Sequence, residues 1–377
     1  MTSPYIKNTE DDKIIYQNDN KKLKSKKNKN KKNNDDEDEE ENMEIENEEA
    51  DPTDLKFKNE EIPRVIVFVF DSNTGLTYAV ALDKNGEKID QKTINFNFNY
   101  QERPRQMAQN DESNLTNEQK ICKQFIEKND PNLILIGAND LKCTNIKDKI
   151  DFITPNENMH YIFTTFGDLS IPEIYSNSPI SDVQSDTNNM FIKQAISLGR
   201  YWQSPLHEIL QLWSPELSEN FCLKIKLHPL QKYVDQKKLM EKLEFRAIKV
   251  VNKCGFDLNR CLDYSHLRNI LMFISGFGPR KAKAFISHIN AYGKPKTRED
   301  IQEQFTSIIG DKLLKSFINF IKIKTDITLM SFDDNYYNLL DMTRIPIESY
   351  DKAKSIVNTV FKKEESNNNK RQKKKKF

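Results

Sequence analysis

The sequence is poor in the residues that mark specialised classes of protein. Its 377 residues include only 5 cysteines, 10 glycines and 14 prolines, which excludes a collagen-like, mucin-like or disulfide-stapled chain. The cysteines form no Cys-x-x-Cys pair, which favours reduced thiols in a cytosolic or nuclear protein over a zinc or disulfide framework. The longest apolar runs, Val65–Phe70 and Leu133–Ile136, fall far short of the roughly 18 residues of a membrane span. We expect no membrane contact, no signal peptide, no metal and no cofactor.

The formal charge of +1 hides two oppositely charged tails. Residues 1–62 carry 12 basic and 19 acidic side chains, whereas residues 362–377 carry 8 basic and 2 acidic ones. Within the first tail, Lys21–Lys32 holds eight lysines and Asp35–Asp54 holds thirteen acids. Blocks of like charge bury too little apolar surface to offset the loss of chain entropy on folding. We therefore predict two disordered charged tails around a nearly neutral folded core.

The first half of the core has the pattern of an α/β domain. Three strands come first, and Asn85-Gly86 supplies the turn of a hairpin between the second strand and a third over Lys92–Tyr100. Thr116 and Gln119 form a capping box ahead of a helix that Pro131 stops. The predicted order is β-β-β-α-β-α-β-α, with the later elements at Leu133–Gly137, Leu141–Ile150, Tyr161–Thr164 and Met190–Leu198. Three hairpin-linked strands followed by αβ crossovers are typical of a ribonuclease-H-like domain.

From about Gly199 the pattern becomes all-helical. Six segments have the apolar spacing of helices, separated by Pro or Gly breaks: Ser204–Trp213, Lys237–Cys254, Leu267–Ser275, Arg280–Ile289, Glu299–Ile308 and Lys312–Phe320. No repeat of 20–50 residues indicates a solenoid.

The sharpest motif is a helix-hairpin-helix signature between two of these helices, Ile274-Ser-Gly-Phe-Gly-Pro-Arg-Lys-Ala282. Gly276 and Gly278 allow a sharp turn that brings backbone N–H groups close to an anion. The following helix adds the positive end of its dipole, and Arg280, Lys281 and Lys283 add charge. We predict that these five residues contact the nucleic-acid backbone, in a salt-sensitive and sequence-independent way. The alternative is that the glycines only make a tight corner in a packed domain.

Two other candidate sites are weaker. Ile309-Gly-Asp-Lys-Leu313 lacks the second glycine, and Asp311 repels phosphate, so corner packing is favoured there. Asp71 follows the first buried strand, where an active ribonuclease-H-like enzyme places its first metal carboxylate. The corresponding second position has Ala138 and Asn139, and the helix Met190–Leu198 contains no acid. Because one carboxylate of three cannot organise two metals, we predict that Asp71 caps a turn and that there are no catalytic residues.

The two basic clusters have two compatible interpretations. Lys362–Lys363 with Lys370–Lys376, together with Lys21–Lys32, resemble nuclear-import signals. The same residues would also make a solvated tail that binds any polyanion. The import-signal interpretation predicts a nuclear protein, and the polyanion interpretation is compatible with it.

Five segments, taken in order and spacing, resemble the core of the eukaryotic suppressor-of-Ty-six transcription elongation factor family, which is related to the bacterial Tex protein. They are Gly199–Glu208, Leu227–Gln231, Val251–Arg260, Ile274–Ala282 and Leu339–Tyr350. The resemblance covers roughly residues 63–360 and is most specific in the helical half. It implies a disordered tail (1–62), a YqgF-like ribonuclease-H-fold domain (63–198), a helix-hairpin-helix domain (199–330), the start of a death-like domain (331–361) and a basic tail (362–377).

The resemblance implies a non-catalytic nuclear elongation factor and histone chaperone. The expected partners are histones or nucleosomes, the RNA polymerase II elongation machinery and the DNA or RNA backbone. The family continues with an oligonucleotide-binding S-one domain and a tandem Src-homology module that this sequence does not contain, so direct binding of phosphorylated polymerase is not carried over. A shortened paralogue and a partial gene product both remain open. The alternative function is a metal-dependent ribonuclease-H-like nuclease or resolvase.

Overall fold

A computed structural model describes residues 62–96, 115–154, 162–324 and 338–374. The strands are β1 Val65–Phe70, β2 Thr77–Leu82, β3 Lys88–Ile94, β4 Leu133–Gly137, β5 Phe163–Gly167, β6 Phe256–Asp257 and β7 Ile321–Lys322. The helices are α1 Asn117–Asn129, α2 Lys142–Ile153, α3 Ser170–Ser176, α4 Pro179–Gln184, α5 Met190–Gln203, α6 Pro205–Gln211, α7 Gln236–Cys254, α8 Leu258–Asp263, α9 Pro279–Tyr292, α10 Arg298–Ile309, α11 Asp311–Phe317 and α12 Tyr350–Lys374. Short 3-10 helices lie between several of them.

The first half forms a mixed five-stranded sheet in the order β3-β2-β1-β4-β5. β1 pairs antiparallel with β2 and parallel with β4, and β4 pairs parallel with β5. β1 and β4 are wholly buried because helices cover both faces of the sheet. Ile66 and Phe68 face α1 and α2, whereas Val67 packs with α5 on the other face. This is the arrangement that a continuous β-branched and aromatic run predicts.

Several predicted features of this half are present. The capping box of Thr116 and Gln119 opens α1, and the chain turns between β2 and β3 over residues 83–87. Of the two predicted turn residues, however, only Gly86 has a positive φ, of 85°. Hydrogen bonds from Asp83 N to Glu87 O and from Gly86 N to Asp83 O close this longer loop, so Asn85 does not need the strained conformation.

Some predicted bounds in this half are wrong. β3 begins at Lys88 rather than at Lys92, because an edge strand tolerates the polar residues that precede Ile94. Phe96 is buried as predicted, whereas Phe98 and Tyr100 lie outside the described residues. β5 lies at Phe163–Gly167 rather than Tyr161–Thr164. The helix predicted to end at Leu198 continues to Gln203 and so runs across the change of pattern at Gly199.

The second half is mainly helical around one hydrophobic core. It is not purely helical, since β6 and β7 form a two-residue parallel pair. The predicted α-helix Leu267–Ser275 is instead a 3-10 helix over Ser265–Phe273. With three residues per turn, Leu267, Ile270 and Phe273 align on one side, and all three are buried.

The prediction of disorder fares differently for the two charged tails. Residues 1–61, including Lys21–Lys32 and Asp35–Asp54, lie outside the described residues. The prediction that 362–377 is disordered is wrong for the backbone through Lys374, because α12 extends that far. Tyr350–Lys374 contains neither Gly nor Pro, and its Lys, Arg, Glu and Gln residues favour helix. None of the helices in the described ranges is long and apolar enough to cross a membrane.

Candidate nucleic-acid interface

The predicted hairpin forms a turn between the 3-10 helix and α9. Gly276 has φ of 83° and Gly278 has φ of 82° with ψ of 169°, a conformation that is essentially restricted to glycine. A Cβ atom on Gly276 would lie 2.5 Å from Cδ1 of Leu313, whereas one on Gly278 would meet nothing within 4 Å. Gly276 therefore serves both the turn and the packing, and Gly278 leaves open space at the start of α9.

Phe277 fixes this turn to the core. Its side chain is buried and makes edge contacts with Phe285 and Phe317, with ring centroids 5.4 and 4.5 Å apart. Ser275 N also donates to Oδ1 of Asn252 on α7, at 3.2 Å. The exposed Gly276 is thus held between two anchored residues, Ser275 and Phe277, which keeps the turn in one geometry.

The three predicted cations surround the start of α9. Pro279 occupies the first helical position, and no side chain caps the helix, so backbone N–H groups of the first turn point outward. Arg280, Lys281 and Lys283 are exposed, and Lys281 Nζ donates to Gly276 O at 3.1 Å. The structure therefore brings all five predicted residues together at one surface turn. Their contact with nucleic acid stays a prediction.

The second glycine turn has a packing role. Gly310 joins α10 to α11 with φ of 89°, and Leu313 of α11 lies against Gly276. The two turns are therefore neighbours, and the second supports the first.

Asp71 lies in a closed turn. Its carboxylate accepts from Asn73 N at 2.9 Å and from Thr74 Oγ1 at 2.6 Å. Burial raises the pKa of Asp71, but these hydrogen bonds outweigh it and leave the pKa below its usual value. Asn139 Nδ2 donates to Phe70 O at 2.6 Å, so an amide lies beside the end of β1. Within the described ranges, no three His, Cys, Asp or Glu side chains form a group that could hold a metal ion.

A polar network that the sequence patterns do not reveal joins the sheet to the helical half. Arg200 Nε donates to Gly86 O at 2.7 Å, and His266 Nε2 lies 3.0 Å from Asn85 O. His266 Nδ1 lies 3.3 Å from a carboxylate oxygen of Glu87. Burial lowers the pKa of His266, so the ring is neutral near neutral pH. Arg200 and His266 thus hold the loop between β2 and β3 against the helical half through both charged and uncharged groups.

Two adjacent side chains in this region have pKa values that are shifted in opposite directions. Burial raises the pKa of Glu208 to about 7, and Ser197 Oγ donates to its carboxylate. Burial lowers the pKa of His207 to about 3, with further repulsion from Arg260 and His266. Both shifts follow mainly from burial where the sheet half meets the helical half.

Comparisons with known proteins identify the same motif and a group of similar proteins. The helix-hairpin-helix motif family model matches residues 219–324, which include the hairpin turn. An Arabidopsis thaliana protein named transcription elongation factor SPT6-like is 28% identical over 81% of this chain and 23% of its own length. The suppressor of Ty 6 homolog of Caenorhabditis elegans is 29% identical over 63% of this chain and 16% of its own. Transcription elongation factor SPT6 of Drosophila melanogaster is 29% identical over 62% and 13%.

The class of protein that emerges is a mixed-sheet domain joined to a helix-hairpin-helix region. The comparisons confirm the family resemblance: the chain is similar to transcription elongation factors named SPT6. It spans less than a quarter of the length of each of these three relatives.

Proposed function

We propose that this chain is the non-catalytic core of a nuclear transcription elongation factor and histone chaperone. The observation that carries the proposal is the exposed turn Gly276–Lys283, with two positive-φ glycines, an uncapped helix start and three cations, within an SPT6-like chain. Backbone N–H groups at a helix start bind phosphate oxygens without reading bases. The hairpin therefore suits a factor that stays on nucleic acid of any sequence.

Salt dependence tests the hairpin. In a triple variant, Arg280→Ala, Lys281→Ala and Lys283→Ala, we expect weaker DNA binding and a smaller slope of log K against log salt, by about 0.9 for each lost phosphate contact. A matched control removes three lysines from helices of the sheet half, Lys120→Ala, Lys128→Ala and Lys142→Ala. If the hairpin variant keeps the wild-type slope, the turn is only a packed corner.

We further propose that the sheet half is ribonuclease-H-like and serves as a scaffold. The order β3-β2-β1-β4-β5, with an antiparallel hairpin arm and parallel crossovers, supports this fold. The turn around Asp71, the amide of Asn139 and the ion pair of Lys193 with Asp182 on α4 support a non-catalytic role. In place of converging carboxylates, these positions carry an amide, a cation and one hydrogen-bonded acid.

The rival function is a metal-dependent nuclease or resolvase, favoured only by the position of Asp71 at the end of β1. Incubation of branched and hybrid substrates with magnesium tests it. We expect no cleavage by the wild-type chain. Cleavage that Asp71→Asn abolishes would establish the nuclease instead.

The histone role is assigned to Asp35–Asp54, whose thirteen acids suit basic histones. We expect deletion of this segment to abolish salt-sensitive histone binding, whereas deletion of Lys21–Lys32 should not. Unchanged histone binding after the acidic deletion would contradict the role. RNA polymerase II elongation proteins are the second proposed class of partner, and their recovery with the chain from nuclear extract tests it.

A further inference from the structure

A row of five cations lies along one exposed side of α7. They are Lys238, Lys242, Arg246, Lys249 and Lys253, and all five side chains are exposed. Their spacing of four, four, three and four residues places them within a sector of about 80° on a helix of 3.6 residues per turn. We call these five residues the α7 cation row. The row is about 22 Å long at 1.5 Å per residue.

The packed side of α7 is on the opposite side of the helix. Met240, Leu243, Ala247 and Val251 pack against the core of the helical half, and by the same helical spacing they point away from the cation row. The row is therefore held on a helix whose rotation is fixed by the core, so its five charges share one outward direction.

The arrangement is unfavourable for α7 by itself. Lys238 with Lys242, Lys242 with Arg246, and Lys249 with Lys253 are like-charge pairs at i,i+4, which destabilise an isolated helix. None of the ion pairs between described residues involves any of the five. A polyanion along the row would remove this repulsion.

The C-terminal end of the row adjoins the hairpin turn. Asn252, between Lys249 and Lys253 on the helix, accepts the hydrogen bond from Ser275 N, and Gly276 follows directly. The α7 cation row and the cations of α9 are thus connected through one short contact. Phe245 lies beside the row with 56% of its surface exposed, and Lys249 Nζ lies 4.4 Å from its ring centroid.

We propose that the α7 cation row is a second phosphate-binding site, which extends the hairpin site into one continuous track for a nucleic-acid backbone. The proposal rests on the proposed nucleic-acid contact of the hairpin. It adds the path that the bound backbone takes from the hairpin along α7. Along a track of about 22 Å a B-DNA strand presents about six phosphates, at 3.4 Å per phosphate. The exposed ring of Phe245 additionally suits the stacking of an unpaired base.

Two triple variants of the full chain test the track. The row variant is Lys238→Ala, Lys242→Ala and Arg246→Ala, and the hairpin variant is Arg280→Ala, Lys281→Ala and Lys283→Ala. Alanine is the best helix former, so α7 should stay folded, which circular dichroism checks. The control triple on the sheet half, Lys120→Ala, Lys128→Ala and Lys142→Ala, removes the same charge.

The measurement is the affinity for a duplex DNA and for a single-stranded RNA of equal length, over about 0.05–0.5 M salt. We expect the salt slope of the row variant to fall by about 2–3 on duplex DNA, since each lost contact contributes about 0.9, and the control triple to keep the wild-type slope. Phe245→Ala should weaken binding of the single strand alone, and equal weakening of both ligands would overturn the stacking role.

The outcomes separate the two proposals. A wild-type slope for the row variant, together with a reduced slope for the hairpin variant, would overturn the track and leave the hairpin function intact. Wild-type slopes for both variants would overturn the nucleic-acid function itself. If the row variant keeps its DNA slope but loses binding to a synthetic peptide of residues 35–54, the row binds acidic protein and the track is wrong.

Discussion

At the scale of single residues, the most perturbed groups lie at the seam between the sheet and the helical half. His207 Nδ1 lies 2.5 Å from Ser204 Oγ, and its Nε2 lies 4.0 Å from the Sγ atom of Cys261. Burial and the charges of Arg260 and His266 oppose protonation of the ring. The adjacent Glu208 is also buried, which opposes ionisation. Both groups are therefore neutral over the range between their two pKa values.

These two residues should make opposite contributions to the pH dependence of stability. The pKa of His207 is about 3 in the folded chain and 6.5 as its reference value, so its contribution to the unfolding free energy is lost as pH falls below 6.5. The pKa of Glu208 is about 7 against a reference of 4.5, so its contribution is lost as pH rises from 4.5 towards 7. Each effect is at most about 1.4 kcal/mol per pH unit.

Urea unfolding between about pH 4.5 and 7 checks this prediction. Relative to the wild type, the unfolding free energy of His207→Gln should rise on acidification, whereas that of Glu208→Gln should fall. His228→Gln, at an exposed histidine, is the control and should follow the wild-type profile. If acidification changes the unfolding free energy of both variants in the same direction relative to the wild type, the assigned protonation states are wrong.

The turn at Gly276 and Gly278 was predictable from the sequence. The shifted pKa values of Glu208 and His266, between the sheet and the helical half, were not. Gly276 and Gly278 have a local signature, because a turn with positive φ needs glycine wherever it occurs. Burial is the main cause of the shifted pKa values of Glu208 and His266, and it arises only when the chain folds. The partner of His266, Glu87, is 179 positions away along the chain. Polar residues in helical segments carry no sign of burial until the packing partner is known.

At the scale of elements, one buried arginine fastens the segment before α12 to the helical half. Arg298, at the start of α10, is 0% exposed. Its guanidinium donates to the carbonyls of Ile321, Thr343 and Ile345 and to the hydroxyl of Tyr350. Asp341 accepts from the Arg298 backbone N–H and from the same hydroxyl. A planar group with five donors is suited to hold three chain segments at once.

Loss of this side chain should be costly. In Arg298→Met, three carbonyls and the Tyr350 hydroxyl lose a buried donor, so we expect the free energy of unfolding to fall by about 3–5 kcal/mol. Arg298→Lys should recover only part of it, because an ammonium cannot reach all four acceptors. Arg344→Met, at an exposed position nearby, should change stability by about 0.5 kcal/mol or less. Urea unfolding measures all three, and equal losses for Arg298→Met and Arg344→Met would contradict the role.

Elements with strong local signals were predicted, and those that depend on partners were missed. β1, β4 and α1 follow from an apolar run or a capping box. α3 and α4 are short helices without a clear apolar period, and the parallel pair of β6 and β7 joins residues 65 positions apart. The 3-10 winding of Ser265–Phe273 is likewise set by the core around it. No local pattern specifies such features.

At the scale of the whole molecule, charge is separated along the chain. The acidic segment Asp35–Asp54 carries thirteen negative charges, whereas the hairpin turn and the α7 cation row expose eight positive ones. Opposite charges in one chain attract each other, so we expect the acidic segment to compete with a nucleic-acid backbone for these cations. The strength of this expected competition should depend on ionic strength.

Deletion of Asp35–Asp54 should therefore strengthen binding to duplex DNA. The gain should be largest at about 0.05 M salt and should disappear near 1 M, where the Debye length shrinks to about 3 Å and the charges no longer sense one another. Deletion of Lys21–Lys32 is the control of opposite sign and should weaken binding over the same range. Fluorescence anisotropy with a labelled duplex measures each affinity. In the row variant, with three of the eight cations removed, the gain from the acidic deletion should be smaller. An equal gain in both backgrounds would show that the acidic segment acts elsewhere than at the α7 cation row.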